Sequence, residues 1–148
     1  MTTLPSPARA TRITAAFAAG AAVLATFALG RVVWPDPPGA ITPPADLVPY
    51  FLILSVVESL LFGAGVAYAI VALPATRHAP KPARLTWAVY LSVCFMLLSW
   101  WPHDNLHRVL GHHDFAGLAR IEYLFHVPLM VGAACVALYT LQARRETR

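Results

Sequence analysis

Apolar residues fall in four long blocks, about Ile13–Val33, Leu47–Leu73, Leu85–Trp101 and Leu118–Leu141. Each approaches or exceeds the roughly 17–25 residues that a bilayer-spanning helix needs. In lipid every backbone polar group must be paired within its own segment, so these blocks predict helices. Prolines punctuate the chain between them: WPDPPGAITPP after the first, PATRHAPKP after the second, WP after the third. The connections are short, which predicts sequential antiparallel packing as a four-helix bundle. The fold class expected is an all-α integral membrane protein, with residues 1–148 forming one transmembrane domain.

Composition agrees. Of 148 residues, 58% are hydrophobic and 12% are charged, against about a quarter charged in a soluble domain. Charge then sets an orientation. Eight of the 11 Lys and Arg flank one side: Arg9 and Arg12, then Arg77, Lys81 and Arg84, then Arg144, Arg145 and Arg148. Arg31, Arg108 and Arg120 fall on the other. The positive-inside rule places both termini in the cytoplasm and the first and third loops outside. The location expected is a bacterial plasma membrane. Two arginines before an Ala-rich apolar run also allow a secretory signal. The run is longer than a usual signal core, so an uncleaved first helix is preferred.

The basic residues lack interleaved aromatics, so no nucleic-acid partner is expected. The lipid bilayer is the expected partner, with a homodimer or a larger membrane complex open. Small-residue spacings at Ala15/Ala19, Ala16/Gly20 and Gly65/Ala69 suit close helix contact. Cys94 and Cys135 lie at depths differing by roughly 15 Å, too far for a disulfide, and read as packing residues.

The titratable residues are not spread evenly. WWPHDNLHRVLGHHDF, residues 100–115, holds four of the six histidines and two of the seven acids. Pro102 suits the first position of a short helix, which would align His103 and His107 on one face with Asp104 and Asn105 beside them. This makes 102–117 a short extracytoplasmic His-rich segment, with His112 and His113 on a turn begun by Gly111. Glu58 lies within the second apolar block. Glu122 and His126, four apart, share a face of the fourth. Intramembrane acids usually face a partner inside the bundle. Imidazole with carboxylate suits Zn, Fe, Mn or Cu(II). The candidate metal ligands are therefore His103, His107, Glu122, His126 and Glu58, backed by Asp104, Asn105, His112 and His113. Haem is disfavoured, because the apolar segments hold no second axial ligand at the depth of His126.

Ordinary readings exist for each residue alone. Glu122 can pair with Arg120 or reach the interface. His126 can bond a carbonyl freed at Pro128. Trp100, Trp101 and Tyr123 read as an interfacial aromatic belt. HDNLH…HH resembles part of the histidine boxes of membrane fatty-acid desaturases and hydroxylases. The four residues between His107 and His112 depart from those boxes, and the other boxes have no counterpart here. Ser99 and His103-x-x-x-His107 are similar to the Ser and His that surround zinc in membrane hydrolases such as alkaline ceramidases. That family has seven helices and draws its ligands from distant ones, unlike this local motif. Neither family's activity is carried over. Three functions follow: a metal carrier, sensor or assembly accessory; a metal-dependent enzyme acting on a lipid or quinone; or a non-catalytic subunit of a membrane complex.

Overall fold

A computed structural model describes residues 7–79, 82–111 and 113–146. The described residues are helical, with no strand: α1 (Pro7–Val33), α2 (Val48–Arg77), α3 (Ala83–Val109), α4 (Phe115–Ile121) and α5 (Val127–Glu146). A π-helical turn, Glu122–His126, joins α4 to α5 without a break. Four rods are long and apolar enough to cross a membrane: Ala8–Val33, Val48–Arg77, Ala83–Val109 and Phe115–Arg144. Many large apolar side chains point outward, Phe17, Phe95, Leu124 and Phe125 among them. In water such a surface would drive aggregation; in a bilayer it is the solvated face.

The helices outrun the sequence expectation at several ends. The apolar pattern puts the end of α3 at Trp101 and a new short helix at Pro102; instead α3 runs unbroken through Pro102 to Val109. His103 and His107 therefore sit on its last two turns. A proline removes one N–H, but neighbouring helices keep such a turn viable inside a membrane protein. Of the short His-rich segment expected at 102–117, the first part belongs to α3 itself and a turn follows at Gly111, whose φ of 72° needs a glycine. Asp114 then caps α4, its carboxylate accepting from the Gly117 N–H at 2.8 Å. α2 likewise continues past Pro74 to Arg77.

Packing follows the chain order, α1 on α2 and α2 on α3, while α5 leans on α3 and α2. Glycines set the close approaches. A Cβ at Gly63 would stand 2.7 Å from the Ala19 carbonyl oxygen, so α1 and α2 meet there backbone to backbone. A Cβ at Gly65 would stand 2.9 Å from Leu97 Cβ on α3. Gly20 has nothing within 4 Å of the corresponding point, so its expected contact is absent among the described residues. Two apolar clusters fill the interior. One joins Tyr68, Ala72, Tyr90, Val93, Leu97, Ala133 and Ala137; the other is Leu54, Trp100 and Met130. Both cysteines are free, Cys94 half-buried and Cys135 exposed.

Candidate metal centre

Three helical rods deliver titratable side chains to one region beside the Leu54–Trp100–Met130 cluster. α2 brings Glu58, 1% exposed. α3 brings His103, Asp104 and His107 from the turns beyond Pro102. The π turn brings Glu122, 0% exposed, and His126. Pro128 lacks the N–H that would close an α turn onto Leu124, and the wide turn shifts the bonding so that the Val127 N–H reaches the Glu122 carbonyl. Residues four apart then line up along the axis, and His126 Nδ1 comes to 3.0 Å from Glu122 Oε2.

Donor atoms of His103, Glu122 and His126 lie within 4.8 Å of one another, and so do those of Glu58, Asp104 and Glu122. Glu122 belongs to both sets. Either set could hold a metal ion. His107 stands one step out, its Nε2 2.8 Å from His103 Nε2, with the two rings edge-on. The His103 and His126 ring centroids are 5.0 Å apart.

Trp100 ties the centre to the core. Its indole N–H donates to Glu122 Oε2 at 2.8 Å, and its ring stacks on the His126 imidazole at 5.7 Å between centroids. The belt reading of Trp100 is therefore corrected: at 1% exposure it faces the protein interior. Trp101 packs its ring against Phe62, and Tyr123 donates its hydroxyl to the Tyr50 carbonyl. Glu122 does not reach the interface or pair with Arg120, which is exposed. Two buried carboxylate oxygens, Glu58 Oε1 and Glu122 Oε1, have no hydrogen-bond partner, and neither does His126 Nδ1 by the geometry of the bond. Buried polar atoms are seldom left so, and these three lie on residues of the two donor sets.

The other expected accessory residues behave differently from one another. Asp104 joins the carboxylates. Asn105 turns back along its own helix, donating to the Trp101 carbonyl and accepting from Arg108. His113 is exposed on the turn. His112 lies outside the described residues.

A cleft of about 970 Å³ opens beside the centre. Glu58, Ser59, Asp104 and His107 are among the polar residues that line it, and Phe27, Phe51, Leu52 and Phe115 contribute apolar wall. Across its rim Arg108 binds Asp36, donates to the Trp34 carbonyl at 2.6 Å, and so ties the α1–α2 connection to the end of α3. Arg31 shares the same Asp36 carboxylate. Nothing in the sequence flagged this three-way contact, because Asp36 and Arg108 are 72 residues apart.

The chain matches no known family model, no curated protein and no solved structure.

Proposed function

We propose that the chain is a small integral membrane protein that binds a transition metal through His103, His126 and Glu122, with His107 as a further imidazole at the rim. The observation that carries this reading is the convergence of three donors from two rods within 4.8 Å, around a fully buried carboxylate with an unpartnered oxygen. Two imidazoles and one carboxylate are a donor set used for Zn and for non-haem Fe(II). The helices alternate direction across a bacterial plasma membrane with both termini inside, as the arginine bias favours, so the centre lies toward the outer face. A carrier, a sensor or an assembly accessory would use the centre in this way.

Elemental analysis of the detergent-purified protein tests the reading. Near-stoichiometric metal is expected in the wild type and loss of it in a His103→Ala, His126→Ala double variant. Metal-free wild-type protein would instead favour a non-catalytic subunit of a larger membrane complex, with the histidines as hydrogen-bonding groups.

A second reading is favoured by the cleft. Its volume falls in the range of small-molecule sites, and both apolar side chains and the acids Glu58 and Asp104 line it. A metal-dependent enzyme acting on a lipid or quinone needs this arrangement, with Glu58 or Asp104 as a base toward the bound substrate or a water. Zinc-loaded protein in lipid nanodiscs should then hydrolyse a lipid ester to acid and alcohol, and iron-loaded protein given an added reductant should reduce quinone to quinol, each read by mass spectrometry. Unchanged lipid and quinone pools would leave the binding function and remove the enzyme.

A further inference from the structure

The donors form two overlapping triads rather than one. His103, Glu122 and His126 are one; Glu58, Asp104 and Glu122 are the other. We propose that the centre holds two cations, the second on Glu58, Asp104 and Glu122, with Glu122 bridging the pair. The inference rests on the proposed metal-binding function and extends it.

Glu122 is disposed to bridge. Its Oε2 faces the Trp100 N–H and His126, while its Oε1 is buried and unpartnered. Glu58 repeats the pattern on the other side: it is 1% exposed and its Oε1 is also unpartnered. Two buried, unsatisfied carboxylate oxygens from different helices thus belong to one trio of acids. Three acid groups so close cannot all ionise away from water without a counter-charge, and a divalent cation between them supplies one. Arg108, one turn beyond Asp104, attracts that carboxylate, but its hydrogen bonds go to Asp36, the Trp34 carbonyl and Asn105. A carboxylate that bridges paired ions holds them about 3.5–4 Å apart.

The two positions differ in chemistry and in access. The first is rich in imidazole and favours Zn or Fe. The second offers oxygen alone and favours harder ions such as Mn(II) or Mg(II). Glu58 and Asp104 line the cleft, whereas His103, Glu122 and His126 do not. The second cation is therefore the one that meets whatever enters the cleft, and the class of ligand it takes is an oxygen-donor headgroup on an apolar tail.

Mn(II) alone, titrated into chelator-treated full-length protein in detergent, tests this by equilibrium dialysis and electron paramagnetic resonance; Zn(II) is titrated in parallel. At saturating Mn(II), with no competing Zn or Fe to take the imidazole position, two Mn(II) per chain with an exchange-coupled spectrum are expected. Glu58→Gln and, separately, Asp104→Asn should each lose one equivalent and leave the hyperfine pattern of isolated Mn(II). Both variants are isosteric, and unchanged helical circular dichroism with a monodisperse elution profile confirms that they fold. One Mn(II) or Zn(II) per chain, unaffected by either variant, would overturn the second site while the metal-binding function stands. Two equivalents that survive both substitutions would overturn it as well. No binding of either metal would remove both proposals together.

Discussion

Glu122→Gln is expected to empty the centre. Glu122 is the residue common to both donor sets, and the amide replaces the carboxylate with a weak, neutral ligand. Loss of even an outer-shell partner lowers metal affinity about 10–100-fold, so loss of the shared carboxylate should exceed the upper end of that range. The metal-free fold should respond in the opposite sense. The amide oxygen of the substituted side chain can still accept the Trp100 N–H, and its NH₂ can donate toward Glu58 and Asp104, replacing repulsion between acids with hydrogen bonds. Chelation should therefore lower the melting temperature of the wild type and leave the variant unchanged. A ligand present at about a hundredfold over its dissociation constant stabilises by about 2.7 kcal/mol, which sets the scale of the wild-type shift. Elemental analysis and thermal melts with and without chelator check both halves. Wild-type metal content in Glu122→Gln would show that the carboxylate is a structural acceptor for Trp100 and nothing more.

How much of this was legible beforehand differs by level. The four spans were readable because a run of about 20 apolar residues has only one solution in lipid. Their ends were not, because apolarity alone marks a span. His103, Asp104 and Arg108 interrupt the apolar run of α3 yet remain helical, His103 and Arg108 with side-chain partners of their own. Prolines misled in the same way: Pro74 and Pro102 read as breaks and lie inside helices. The grouping of His103, His107, Glu122 and His126 was accessible from spacing and from the short α3–α4 connection. That Asp104 belongs with Glu58 was not, because it depends on how α2 and α3 are rotated about their axes, and no pattern in one sequence fixes that phase. Trp100 left a signal that could have found it. Trp100, His103, Asp104 and His107 fall at i, i+3, i+4 and i+7, a single helical stripe. Reading Pro102 as a helix start cut that stripe in two.

Trp100 carries the last expected result, because it joins core packing to the centre in one side chain. Trp100→Ala should destabilise the protein by about 3–5 kcal/mol, the usual effect of truncating a buried aromatic. The indole fills the space between Leu54 and Met130 and supports the His126 ring, so the cavity opens directly under the donors. Trp100→Phe separates the two roles. It keeps most of the apolar contact and removes the N–H, leaving Glu122 Oε2 without its indole donor. A buried acceptor deprived of its donor costs about 1–3 kcal/mol. Because that donor also fixes the direction of the carboxylate, metal affinity should fall about 10–100-fold while the fold survives. Parallel melts and metal titrations of the two variants check this. A Phe variant that binds metal as tightly as the wild type would reduce Trp100 to a packing residue. Weakened binding in a stably folded Phe variant would show that the indole N–H positions Glu122 for its ligand.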